Sequence, residues 1–242
     1  KAGERLRMLI VNNSLPKCGG VWLHSILCRM VVYEAPGDRW RQQGWTSSSP
    51  SPADLPAFLE EEDWLSRNLL FKCHYGPRLV RQLNRPGIKV VCAVRHGADA
   101  ALSLYHHLQR QGLNTPRDEW MATEGVQFAS TLQPLRAAWS RIAHMVEYEN
   151  LLANPEVEIL RLSTFLGIRP YDAVARSIAA ETQADKMRVR AGAHVRAAKA
   201  GAAAEDLPAE LLALFAPQHP VAELPAPLEA DVSDVSEAKE HA

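Results

Sequence analysis

Apolar positions along this chain come in two kinds of stretch, short continuous runs and runs at helical spacing. Met8 to Val11 is continuous, and Trp22, Leu23, Ile26, Leu27, Met30 and Val31 then recur on one helix face. The pattern predicts a strand, a turn around Ser14 to Gly20, and a helix to about Tyr33 that Pro36-Gly37 ends. Leu69 to Phe71 is a second short run, closed by Lys72, His74 and a Gly76-Pro77 turn. Gly87 to Val94 is near-continuously apolar, as a parallel strand buried on both faces should be. It ends on Arg95, and a helix over 96–107 follows. Helical spacing returns at Phe128, Leu132, Leu135, Trp139 and Ile142, with Pro134 a predicted kink. His144 to Leu151 reads as a strand entering a turn, and Asn154-Pro155 opens a helix that Gly167 closes. Further helices are predicted over 170–181 and from Leu207 to Phe215. Strands alternating with helices predict an α/β class fold, a three-layer sandwich with a central parallel sheet flanked by helices.

Two stretches lack this regularity. Residues 34–66 carry a Ser/Pro-rich segment, a helix candidate over Leu55 to Leu65, and Trp40, Trp45 and Trp64. Those aromatics either line a pocket or pack on the domain edge, and both readings stay open here. Gly112 to Gly125 reads as a polar, turn-rich insertion. From Pro217 the chain turns acidic and Pro-containing, with too little apolar periodicity to fold alone. The domain is therefore placed at 1–216 and a disordered tail at 217–242. Internal repeats, heptads and basic tracts interleaved with aromatics are absent from the sequence.

At 242 residues and 47% hydrophobic, the chain can bury one substantial core. Its formal charge is −1, and six acidic residues against Lys239 lie in the tail, leaving a small positive excess elsewhere. Such an excess suits one anionic small ligand better than a nucleic-acid track. No run approaches the roughly 18 apolar residues of a membrane span. Cys18, Cys28, Cys73 and Cys92 show no C-x-x-C pairing, so neither a disulfide framework nor a zinc site is expected. With no apolar signal segment over Lys1 to Arg5, these thiols predict an intracellular, cytoplasmic protein.

The chemistry concentrates at strand ends. Pro16-Lys17-Cys18-Gly19-Gly20-Val21-Trp22 is a Lys/Gly turn opening into a helix, which offers backbone N–H groups and a mobile charge to an anion. Lys17 precedes the glycines and no Ser or Thr follows to hold Mg²⁺, which disfavours a metal-assisted NTPase. Lys72, His74 and Arg95 fall where open α/β sheets collect ligands. An imidazole near neutral pKa suits proton abstraction, and the arginine fork suits a phosphate. Ser103 lies two helical turns beyond Arg95 and can add a hydroxyl, whereas Asp99 reads as a first-turn acid favouring the helix dipole. On composition alone Trp22 is a core aromatic.

Taken in order, these pieces resemble the sulfotransferases that use 3′-phosphoadenosine 5′-phosphosulfate (PAPS). Residues 16–23 resemble the P-K-S-G-T-T-W-L phosphosulfate loop, and Lys72-x-His74 resembles K-T-H. Arg95 and Ser103, eight apart, resemble R-N-P-x-D-x-x-x-S. Tyr148-Glu149-Asn150-Leu151 resembles Y-E-D-L, and Phe165-Leu166-Gly167 the family's F-L-G. Val195 to Gly201 resembles the R-K-G-x-x-G-D-W loop through Arg196 and Gly201, with Arg190-Ala191-Gly192 a rival alignment. The resemblance implies that a sulfuryl group moves from PAPS to an acceptor hydroxyl or amine, leaving PAP, with no metal. It implies that Lys17, Lys72 and His74 are catalytic: Lys17 stabilises the leaving phosphate, Lys72 the transferring group, and His74 is the general base. Cys18, Gly19, Gly20 and Val21 complete the phosphate loop, and Arg95, Ser103 and Arg196 hold the 3′-phosphate. Trp22 stacks on adenine and Tyr148 frames its side. Tryptophans in the first insertion favour a small-molecule acceptor, aromatic or apolar-faced, and neither nucleic acid nor membrane is an expected partner.

Three departures stand out. Gly20 and Val21 replace hydroxyl residues, Ala184 replaces the Phe opposite the Trp, and alanines occupy most of the terminal loop. They keep one rival alive, a degenerate binding protein that holds PAPS or PAP without catalysis. A nucleotide kinase or phosphatase is a second rival, which the loop order disfavours.

Overall fold

Three apolar runs and the 144–151 stretch supply the strands, β1 (Leu9–Asn12), β2 (Leu69–Lys72), β3 (Ile88–Val94) and β4 (Ala143–Glu147). The structure is a computed structural model that describes residues 8–31, 49–61, 64, 68–168, 172–183, 186–187 and 199–216. The strands pair in parallel in the order β2-β1-β3-β4, with Asn12 opposite both Lys72 and Val91 and with Val94 opposite Glu147.

Side chains alternate across a pleated strand, so each strand feeds two cores. Leu9, Val11, Phe71, Val90 and Cys92 pack on one face with Phe58, Trp64, Leu83, Leu132 and Trp139. Ile10, Leu70, Val91, Ala93 and Val146 pack on the other with Leu23, Ile26, Leu27, Ile159, Leu162 and Ile178. Helices thus cover both sheet faces and the expected three-layer fold is present. Each fully buried large aliphatic or aromatic side chain contributes about 1.5–3 kcal/mol, which is why the runs are almost wholly apolar, with Lys89 the exception.

From β1 the chain adds β2 on one side and then β3 on the other. The crevice between the carboxyl ends of β1 and β3 is therefore the topological switch point, where such sheets bind ligands.

The helix after the first loop spans Gly20–Met30, shorter than expected, because Val31 is already extended. Leu55–Glu60 is helical, and Trp64 is buried with its indole N–H donating to the Leu59 carbonyl at 3.1 Å. For Trp64 packing is what the geometry shows, while Trp40 and Trp45 lie outside the described residues. The expected polar insertion is largely helical: Arg117–Trp120, a π-helical turn Met121–Gly125, and Val126–Trp139 run on with Pro134 inside. Trp120 and Met121, buried against the helix Gly97–Arg110, anchor it despite its polar surface. Tyr148 begins a helix, Tyr148–Ala153, and Pro155–Leu166 ends at Gly167 in the left-handed conformation. Asp172–Glu181 is helical as expected. In place of one closing helix there are two, Ala202–Asp206 and Ala209–Ala213, separated by extended Leu207 and by Pro208. The 217–242 tail lies outside the described residues. Among the described residues no helix is long and apolar enough to cross a membrane.

Candidate active site

β1 ends at Asn12, and Asn12, Asn13 and Ser14 are three consecutive polar residues buried at the switch point. Their hydrogen bonds account for that burial. Asn12 Nδ2 donates to the Gly20 carbonyl at 2.9 Å, and Ser14 Oγ donates to Asn12 Oδ1 at 2.6 Å while accepting from the Ala93 N–H at 3.1 Å. Parallel pairing continues past the strand, since the Asn13 and Leu15 N–H groups donate to the Val91 and Ala93 carbonyls. The loop is thereby fixed to two strands and to the first helix before any ligand arrives.

Within the loop Lys17 has φ 62° and Gly19 φ 92°. At Gly19 a Cβ would stand 2.6 Å from Tyr148 Cδ2, so glycine is required twice over, by dihedral and by space. At Gly20 a Cβ would stand 2.8 Å from Ser14 Cβ. Ser14 occupies the space that the family's loop hydroxyl would need, a physical reason for the Gly20 departure. The Gly20, Val21 and Trp22 N–H groups, the first helical turn, have no acceptor among the described residues and remain donors for an anion. The Cys18 thiol is fully buried and donates to the Pro16 carbonyl at 3.4 Å, which ties the loop to the core.

Asn13 Oδ1 accepts from the Tyr75 N–H at 2.5 Å and Asn13 Nδ2 donates to the Tyr75 carbonyl at 3.3 Å, which pins the backbone just past His74. His74 Nδ1 lies 2.6 Å from the Ser14 carbonyl oxygen. A carbonyl only accepts, so Nδ1 carries the hydrogen and Nε2 keeps its lone pair. Surrounding protein, and then the Lys72 charge, hold the imidazole below its ordinary pKa against the opposing pull of the Ser14 carbonyl. The ring is nevertheless open to solvent at its edge. His74 is thus a neutral, oriented imidazole at neutral pH.

Arg95 leaves β3 with its guanidinium carbon 4.3 Å above the Tyr148 ring, and Nη2 donates to the Lys199 carbonyl at 2.7 Å. Its Nε is buried with no partner among the described residues, a donor suited to an anion. Tyr148 therefore joins the Gly19 turn, Arg95 and Trp22, whose ring meets it edge-on at 5.7 Å. Trp22 is 9% exposed and packs with the core, its indole N–H unpartnered among the described residues. Ser103 is half-buried and makes no hydrogen bond to the described residues. Gly201 is close by, but its N–H donates to Asp99 Oδ2 at 2.7 Å. Arg196, Arg190 and Ala184 lie outside the described residues.

Electrostatically the site is a cluster of like charges. The Lys17 pKa is pulled down to about 8, first by burial and then by Arg110, Arg95 and Lys72. Lys72 is lowered as well, chiefly by burial. Arg110, in the last turn of Gly97–Arg110, was missed by sequence reasoning; a cation beyond the motif's last residue carries no local signal. Crowded, partly desolvated cations favour a polyanion that restores their charge. A testable pH dependence follows. Near pH 8 part of the unliganded Lys17 is neutral, and a bound anion raises its pKa again, so binding takes up a proton. PAP affinity is expected to fall by up to about tenfold per pH unit above pH 8, where the nucleotide phosphates (second pKa about 6) no longer titrate. Calorimetry in buffers of different ionisation enthalpy checks this; no proton uptake between pH 7.5 and 9 would remove Lys17 from the anion site.

A family model described as a sulfotransferase domain matches residues 8–199. No curated protein matches the chain. Among solved structures, mouse sulfotransferase SULT7A1 complexed with PAP is 14% identical with a TM-score of 0.61, covering 87% of this chain and 82% of that one. Retinol dehydratase in complex with androsterone and inactive cofactor PAP is 16% identical with a TM-score of 0.56, covering 88% and 79%. A second retinol dehydratase structure, with retinol and PAP, is 15% identical with a TM-score of 0.54. At these identities the structures establish the shared fold.

Proposed function

The chain belongs to the sulfotransferase domain family, and from that premise we propose that it transfers a sulfuryl group from PAPS to a hydroxyl or amine of a small-molecule acceptor. The observation that carries the reading is the meeting of Lys17, Lys72, Arg95 and a neutral His74 at the switch point, with anion donors otherwise unsatisfied. Bound PAPS supplies the sulfuryl group and leaves as PAP once its sulfur–oxygen bond to the 5′-phosphate breaks.

Position supports the following roles. The first-turn N–H groups and Lys17 hold the 5′-phosphate end, and Lys17 stabilises charge as it grows on the leaving oxygen. Lys72 neutralises the transferring group. His74 Nε2 takes the acceptor proton as the acceptor oxygen or nitrogen bonds to sulfur, and its Nδ1–H remains on the Ser14 carbonyl throughout. Arg95 and Ser103 receive the 3′-phosphate, together with Arg196, and Trp22 and Tyr148 wall the adenine. An aromatic or apolar-faced acceptor fits a family in which retinol dehydratase binds androsterone and retinol.

The test compares PAP with adenosine 5′-phosphate. A ligand that prefers the native state raises its stability by RT ln(1 + [L]/Kd), about 2.7 kcal/mol at a hundredfold excess over Kd. PAP is expected to raise Tm well beyond the shift from an equal concentration of adenosine 5′-phosphate. Equal shifts would remove the 3′-phosphate assignment.

A further inference from the structure

Asp99 stands in the first turn of Gly97–Arg110, where any carboxylate favours the helix dipole, yet at 2% exposure it is far more buried than that role demands. Both its oxygens are engaged from the far end of the chain. Oδ2 accepts the Gly201 N–H and Oδ1 the Ala203 N–H, each at 2.7 Å. Those groups open the helix Ala202–Asp206, which Ala202, Ala203, Leu207 and Leu211 seat on Ala98, Ala101, Leu102 and Tyr105. The same Oδ2 lies 3.8 Å from Arg95 Nη2, and that Nη2 donates to the Lys199 carbonyl. A closed circuit results, from Arg95 to the Lys199 carbonyl, along the chain to the Gly201 N–H, and through Asp99 back to Arg95. Of its four residues, Gly201 lies beyond residue 199, where the family match ends.

We propose that Asp99 is a positioning residue for the 3′-phosphate, holding the 199–203 backbone where the Lys199 carbonyl orients the Arg95 guanidinium. The inference rests on reading Arg95 as the 3′-phosphate residue. An arginine stem is long and rotatable, and fixing it before the ligand arrives removes an ordering cost from binding. Two backbone N–H groups draw on the carboxylate, so it stands beside Arg95 without forming the close bidentate pair that would occupy the fork.

Asp99→Asn keeps the shape but has one acceptor oxygen for two N–H donors, and turns an NH₂ toward the other. Calorimetry with PAP and with adenosine 5′-phosphate, beside amide exchange of Gly201 and Ala203 without ligand, tests the idea. PAP binding is expected to weaken by about tenfold or more as charge-assisted bonds are lost. Adenosine 5′-phosphate binding should change by less than about twofold, since that ligand lacks the group Arg95 receives. Both amides should exchange faster. Faster exchange with a parental ratio of the two affinities would show a structural cap only and overturn the inference, as would tighter binding of both ligands. If Asp99→Asn does not fold, Ala203→Pro removes the N–H that Oδ1 accepts, in the first helical turn where no intrahelical bond is lost, and leaves Asp99 in place. Its affinity ratio should fall by about threefold, in keeping with one lost bond of two, and an unchanged ratio overturns the inference. A parent protein that binds both nucleotides equally removes the Arg95 assignment and this inference with it. A discriminating parent with an unaffected Asp99→Asn removes the inference alone.

Discussion

Replacing His74 with alanine is expected to lower sulfuryl transfer by about 10² to 10⁴, or roughly 3 to 5 kcal/mol of barrier, with PAP affinity nearly unchanged. The split follows from geometry. His74 reaches the site from the end of β2 and is held by the Ser14 carbonyl at 2.6 Å, whereas Arg95 comes from the end of β3 and lies over the Tyr148 ring. Its removal deletes the proton acceptor and leaves the phosphate loop fixed by Asn12 and Ser14. Single-turnover transfer to an acceptor found by screening, beside PAP calorimetry, is the measurement. Parental transfer by His74→Ala would place the base elsewhere. A parent that binds PAP yet transfers to no acceptor, water included, favours the non-catalytic binding protein.

The second large effect is at Arg95. Arg95→Ala should weaken PAP binding by roughly 2 to 4 kcal/mol, as a charge-assisted, bidentate-capable contact is lost. The same substitution frees the Lys199 carbonyl and uncovers Tyr148, so adenosine 5′-phosphate binding should fall slightly as well. Arg95→Lys separates charge from geometry. It should recover only part of the loss, because a lysine has no planar fork to stack on Tyr148. PAP affinity unchanged in Arg95→Ala would move the 3′-phosphate site away from the end of β3.

What was legible in the sequence is what local pattern encodes. Lys17, Lys72, His74 and Arg95 stood out as candidates because each ends an apolar run or opens a helix, and parallel strands deliver their carboxyl ends to one edge. What was missed spans the chain. Asn13 was passed over and Ser14 marked only the start of a turn, because the Tyr75 and His74 groups they hold lie some 60 residues away. Asp99 was read as a first-turn acid because its partners, Gly201 and Ala203, are more than 100 residues on. The helix at Arg117–Trp120 was taken for a loop because only Trp120 and Met121 carry its buried side, too few to mark a period. Gly20 was read as a lost hydroxyl. The structure shows it making room for Ser14, a pairing that no single position announces.

The parallel register has a consequence for the order of assembly. β1 pairs residue for residue with β2 and β3, so Asn12 meets Lys72 and Val91 only after loops of about 60 and 80 residues have closed. Closing loops of that length is slow, and contacts so distant in sequence reward it late. A partly folded chain can hold the Gly20–Met30 helix and still lack His74 and Arg95 at the crevice, because they arrive with β2 and β3. A ligand that binds where β1, β2 and β3 meet is therefore expected to select a chain that has finished its sheet, and to stabilise that state by mass action.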